Sequence, residues 1–166
     1  RRHANGRVFE WLPTLTTDNE VHAAWGRFGN SEPWPDLTLA YGWSWILQPD
    51  FLAHTPCFAL HPSPLPRYRG GSPLQHQIIA GEYWSASTIF KMTETLDAGP
   101  IWSQRPLTLD GSLADIFARI SADAKEPTVA LITALADGRQ LDLRLQNECE
   151  ATTYARRKPI DSDIAT

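Results

Sequence analysis

Cysteine is scarce: Cys57 and Cys149 are the only two. Nothing in their spacing pairs them, so there is no disulfide framework, and a reducing, cytoplasmic setting fits. Long apolar runs are missing as well. None reaches the ~18 residues that argue a membrane span, and no secretory leader is visible. Positive charge is not in excess. Fifteen Lys and Arg stand against 19 Asp and Glu, for a formal net charge of −4. That balance speaks against a long nucleic-acid footprint, which needs a basic surface. No dinucleotide fingerprint occurs, and no glycine loop leads to a phosphate-binding lysine. His54, His61 and His76 lack ligand spacing with Cys or carboxylate, so no metal is expected. There is no initiator Met, and Arg1-Arg2-His3 reads as the middle of a longer sequence.

What is present suits one domain, residues 1–166, with a full core: hydrophobic residues make up 42% of the chain and charged residues 20%. Strands are expected over residues 7–15, 37–43, 57–61, 87–92 and 101–104, with a further extended piece at 107–109. Short helices are expected from Asp18 to Trp25 and after Pro49. Ser72-Pro73 opens another, with Leu74, Ile78 and Ile79 facing the core and Gly81 ending it. Ser112 caps an amphipathic helix whose Leu113, Ile116, Phe117 and Ile120 fall at i, i+3, i+4 and i+7. Pro127 is expected to restart that helix. Strands and helices alternate through the first two thirds, which favours an α/β fold with a mostly parallel sheet. The seven Trp are spread along the chain and read as core or cleft lining.

The chemistry gathers where the 57–61 strand gives out. His61 ends a buried apolar run and leads into a loop dense in proline, arginine and glycine. Asp97 sits in a second loop, after another strand. Two strand-end residues of complementary type can meet across one cleft at the carboxyl edge of an open sheet. A His–Asp pair without a neighbouring nucleophile points to proton transfer rather than covalent catalysis. Ser63 lies between two prolines, not in a nucleophile elbow. Arg67 and Arg69 are candidates for phosphate or carboxylate, and Gly70-Gly71 permits a close backbone approach.

These residues resemble the folate-dependent formyltransferases. That family's hallmark is Asn-x-His-Pro-Ser-Leu-Leu-Pro-x-x-Arg-Gly, followed some way on by Leu-Asp-x-Gly-x-Ile. Here His61-Pro62-Ser63-Pro64-Leu65-Pro66-Arg67-Tyr68-Arg69-Gly70 matches the first motif, and Leu96-Asp97-Ala98-Gly99-Pro100-Ile101 the second. The likeness runs from about Pro35 to about Ile164. It implies a Rossmann-like catalytic domain, here lacking its first strand and helix. It also implies 10-formyltetrahydrofolate as formyl donor and an amine as acceptor. By the same likeness His61 is the proton shuttle, and Asp97 holds and polarises it. The folate is expected along Trp43, Glu94 and Thr95. The Ser63, Leu65, Pro66 and Arg67 loop would wall the junction of the two substrates, with Gly70, Gly71 and Gln75 beside it.

One position departs from the pattern: Ala59 stands where the family has its oxyanion-binding Asn. An engineered change, a divergent branch using Gln75 or His76 as donor, and an inactive relative all fit that departure. The divergent branch is the reading adopted. The acidic chain disfavours transfer RNA, which leaves a small amine such as a free or nucleotide-linked amino sugar. Trp84 and Trp102 could flank it, although core packing is the expected fate of both. A homodimer is the open alternative to a monomer. A protein that binds folate or a sugar nucleotide without turnover is the alternative to an enzyme.

Overall fold

The computed structural model describes residue 14, residues 16–43 and residues 47–162. The strand expected over 7–15 lies almost wholly outside these. Among the described residues four strands form the main sheet: β1 (Thr38–Tyr41), β2 (Cys57–His61), β4 (Trp84–Lys91) and β5 (Ile101–Thr108), in that spatial order. A two-stranded accessory sheet pairs β3 (Arg69–Gly70) with β6 (Thr153–Tyr154). The helices are α1 (Asp18–Trp25), α2 (Pro49–His54), α3 (Pro73–Ile79) and α4 (Leu113–Ala136). The α/β class therefore holds.

Among the described residues the main sheet is mixed rather than mostly parallel. β1 and β2 run parallel, whereas β2 with β4 and β4 with β5 run antiparallel. The reason is plainest for β5. Only the loop 92–100 separates it from β4, too short for the crossover of a dozen or more residues that a parallel return needs. Residues 107 and 108 of the extended piece expected at 107–109 join 101–104 in one long strand, which ends at Thr108.

β2 is the strand that positions the site. Its side chains alternate between two faces. Phe58 packs with Ile89, Ala124 and Leu131 on the α4 side. Ala59 meets Leu65, Phe90 and Ile101 on the other side, the side it shares with His61. Cys57 is buried, and that burial pushes its thiol up to about 12, so it behaves as an inert core residue.

α4 starts on a full capping box: Ser112 Oγ accepts from the Asp115 amide, and the Asp115 carboxylate accepts from the Ser112 amide. The helix does not restart at Pro127 but runs through it. Ala124, Pro127 and Leu131 are all buried against the sheet, and Trp102 Nε1 donates to the Pro127 carbonyl at 2.9 Å, so packing holds the helix across the proline. Ile116 and Ile120 are in the core as expected. Leu113 and Phe117 are about half exposed, because the buried stripe continues through Ala124 and Leu131 and leaves those two on its flank.

α3 also differs from expectation. Leu74 is buried, but Ile78 and Ile79 are exposed, and Gln77 takes the inward position. Gln77 Nε2 donates to the Pro62 and Pro73 carbonyls, and its Oε1 accepts from Ser85 Oγ. That set satisfies the buried amide and ties α3 to the loop after β2. Trp84, expected in the core, is 65% exposed at the start of β4, while Trp102 is half-buried. Among the described residues no helix is long and apolar enough to cross a membrane.

Candidate functional site

His61 is the last residue of β2, where its backbone still pairs with Thr88. It is 8% exposed, and the Phe90 ring meets it edge-on at 6.4 Å. Its Nε2 lies 2.8 Å from the Tyr68 carbonyl oxygen. A carbonyl only accepts, so Nε2 carries a proton in this contact, and in the neutral ring Nδ1 keeps the lone pair. Nδ1 lies 3.6 Å from Asp97 Oδ2. That is within ion-pair range and beyond a good hydrogen bond. Tyr68 can present its carbonyl in this way because its φ is +61°, rare for a residue with a side chain. Thr152 Oγ1 accepts its amide proton at 2.8 Å, and the Tyr154 ring stacks on its ring at 5.2 Å.

Asp97 also has a positive φ, +49°. Its Oδ2 accepts from the Gly70 amide at 2.7 Å. The turn closes back on β4, where a Cβ on Gly99 would lie 1.7 Å from the Lys91 carbonyl oxygen. No side chain fits there, which is the physical content of the glycine two residues after the aspartate. Gly70 and Gly71 are under a similar constraint: a Cβ on either would strike the backbone of the incoming 154–156 segment, at 2.3 Å from Tyr154 O and 2.4 Å from Arg156 Cα.

A cavity of about 1170 Å³ opens at the carboxyl ends of β1 and β2. Trp43, Leu47, Leu52 and Met92 give it an apolar wall, and His61, Glu94, Asp97 and Gln75 contribute polar groups. Leu113, Phe117 and Val129 of α4 edge it on a further side. Ala59, Gly70 and Gly71 line it too. Other residues named from the sequence do not. Ser63 is fully buried, with Oγ donating to the Arg67 carbonyl, and Leu65 packs with Phe90 and Ile101. Pro66 is buried beside them. These three shape the loop from within.

Both arginines are already engaged. Arg67 pairs with Glu82, which also accepts from the Tyr68 hydroxyl. Arg69 is 4% exposed and forks onto Gln146 and Glu148, so it does not face a ligand. Thr95 is exposed and spends its carbonyl on Thr93 and Ala98. His76 does not line the cavity; it stacks on Tyr154 with its Nε2 beside the Ala155 carbonyl. Of the two side chains considered as stand-ins for the missing Asn, only Gln75 lines the cavity. Among the described residues no group of three or more His, Cys, Asp or Glu could hold a metal ion.

The formyl transferase family profile matches residues 16–131, more than half of the chain. The chain belongs to the formyl transferase family. The methionyl-tRNA formyltransferase of Thermotoga neapolitana is 34% identical over 122 residues, covering 71% of this chain and 39% of the relative. The chain thus spans well under two thirds of that relative's length. Among solved structures, methionyl-tRNA formyltransferase from Clostridium thermocellum superposes with a TM-score of 0.74 at 30% identity, over 91% of this chain and 63% of that one. WlaRD, a sugar 3N-formyl transferase crystallised with dTDP and 5-N-formyl-THF, gives 0.62 at 17% identity over 71% of this chain and 43% of its own, a likeness of fold.

Two residues with a bearing on the site escaped the sequence reading. Tyr68 contributes through its carbonyl, which no side-chain motif reveals. Gln146 lies far along the chain in a segment without periodicity, and only the fold brings it to the Asp97 loop.

Proposed function

We propose that this chain carries out folate-dependent N-formyl transfer, with His61 as the proton carrier and Asp97 as its electrostatic partner. One observation carries the reading: His61 has its Nε2 proton committed to Tyr68 and its Nδ1 turned toward Asp97 Oδ2 at 3.6 Å. A group in that state takes a proton at Nδ1, and the adjacent carboxylate stabilises the cation formed. The balance is simple. The acceptor nitrogen gains a bond to the formyl carbon, and the bond between that carbon and the donor nitrogen breaks. The proton shed by the acceptor amine passes through Nδ1 to the departing donor nitrogen.

The cavity suits a folate. Its apolar wall at Trp43, Leu47, Leu52 and Met92 can cover an aromatic ring system, while Glu94 and Asp97 offer carboxylates to ring N–H groups. The 5-N-formyl-THF named with WlaRD points to the same donor chemistry.

The acceptor is a primary amine, in our reading an amino sugar, free or nucleotide-linked. The net charge of −4 favours such a small substrate over a polyanion. The greater identity to methionyl-tRNA formyltransferases favours an aminoacyl-tRNA as the second reading. Single-turnover transfer from 10-formyltetrahydrofolate to a panel holding both acceptor types separates them. In the same assay His61→Ala and Asp97→Asn are expected to lower transfer by roughly 100- to 10,000-fold while the protein stays folded. Full activity in either variant overturns the assigned roles.

A further inference from the structure

Asp97 is held at two points, its side chain by Gly70 and its main chain by Gln146. Its side-chain Oδ2 accepts from the Gly70 amide at 2.7 Å. Its main-chain oxygen accepts from Gln146 Nε2 at 2.8 Å, and the same amide nitrogen donates to the Gly99 oxygen at 2.7 Å. The other end of the Gln146 amide returns to the first loop: Oε1 accepts from Arg69 Nε at 3.1 Å and from Arg69 Nη2 at 2.8 Å. Arg69 and Gly70 are joined by a peptide bond. A closed ring of contacts therefore runs from Gly70 to Asp97, to Gln146, to Arg69 and back.

We infer that Gln146 is a positioning residue, which clips the Asp97 loop to the loop after His61 and so sets the Asp97–His61 distance. The inference rests on the assignment of His61 and Asp97 given above. Three features make a clip the economical explanation of this side chain. Gln146 uses donors and acceptor together, on opposite sides, so an apolar or singly functional residue would not bridge the two loops. The guanidinium it meets is buried, and Glu148 takes the remaining side of that fork, so Arg69 cannot swing away without leaving a buried charge unpaired. Its place is fixed by register: Arg144 and Ile101 exchange backbone hydrogen bonds of 2.8 and 2.9 Å, and continuing that antiparallel pairing brings residue 146 opposite Gly99.

Asp97 needs such a hold. It sits at positive φ in a turn that Gly99 brings hard against β4, a conformation the surrounding contacts must over-determine.

Two variants test the clip. Gln146→Leu removes both functions. Gln146→Glu keeps an acceptor for Arg69, so the buried guanidinium stays paired and the fold is preserved, but it has no donor for the Asp97 and Gly99 carbonyls. Amide exchange by NMR reads the Gly70–Asp97 contact without reference to activity. Exchange of the Gly70 amide is expected to rise about tenfold in Gln146→Glu, as follows from loss of the contacts that hold its partner, with the Ile89 amide of β4 unchanged as the control. In steady-state assays kcat is expected to fall up to about 100-fold, the effect of misplacing a reacting group, with KM for the folate donor little changed. Unchanged Gly70 exchange in Gln146→Glu overturns the clip. So does a joint loss of kcat and donor binding that tracks a fall in melting temperature, which a merely structural residue would give. If the unaltered chain transfers no formyl group to any acceptor, the formyl-transfer reading fails, and Gly70 exchange still decides whether Gln146 holds the loop.

Discussion

In the proposed reaction, Ala59 is the residue on which the rate turns. It lies on the same face of β2 as His61, half-buried, and lines the cavity with a methyl group. A developing oxyanion needs a donor at that wall, and removal of one such donor costs about 100- to 1000-fold in comparable sites. Ala59→Asn is therefore expected to raise single-turnover transfer by up to about 100-fold, provided the longer side chain is accepted between Phe90 and Leu65. If Gln75 already supplies the donor, Ala59→Asn gains little and Gln75→Leu loses activity instead. Parallel measurement of the two variants tells which side chain serves. At this scale the sequence was readable where a motif marked a side chain that the fold brings to the cavity, as with His61 and Asp97. It was misleading for Arg69, whose guanidinium turned inward to Gln146 and Glu148. It was silent on Tyr68, since a carbonyl is common to every residue.

Among the elements, α4 carries the clearest local signals, and the capping box at Ser112 was legible because it needs only residues three apart. Ser112→Ala is expected to cost about 1 kcal/mol. That corresponds to a drop of roughly 2–4 °C in melting temperature for a domain of this size, measured by thermal unfolding, with transfer activity at low temperature unchanged. The passage of α4 through Pro127 was not legible. Proline read alone interrupts a helix, and what offsets it is tertiary: the burial of Ala124, Pro127 and Leu131 and the bond from Trp102. The same holds for α3, where a polar Gln77 faces in and two isoleucines face out, because Ser85 and the Pro62 and Pro73 carbonyls bond the amide.

For the whole molecule, two carboxylates tie distant parts of the chain together. Hydrogen bonds from Tyr68 and Arg67 hold Glu82 below the ordinary glutamate range, and Arg69 does the same for Glu148. A carboxylate depressed in the folded state contributes stability that is complete above its unfolded value and is lost as pH falls through the folded one. Stability is thus expected to decline on acidification below about pH 4.5, seen as a falling melting temperature between pH 6 and pH 3. Arg69→Met should flatten the part of that decline due to Glu148, and an unaltered slope would contradict the assignment. Solvent screening at the half-buried Glu82 and the exposed Glu148 keeps the effect modest. The α/β class was legible from the alternation of elements. The antiparallel β4 and β5 were not, because strand direction depends on connection length and on partners that local pattern does not encode.

The 152–157 segment lies across the residues beside His61: Thr152 accepts from Tyr68 and Arg69, the Tyr154 carbonyl takes the Gly71 amide, and the Arg157 amide reaches Ser72. Both motifs are therefore translated well before the contacts that shape them. A nascent chain that has emerged only as far as residue 145 would carry His61 and Asp97 without Gln146 or this cover. The site matures only after residues 146–157 have followed, and shorter nascent chains hold His61 and Asp97 without their alignment.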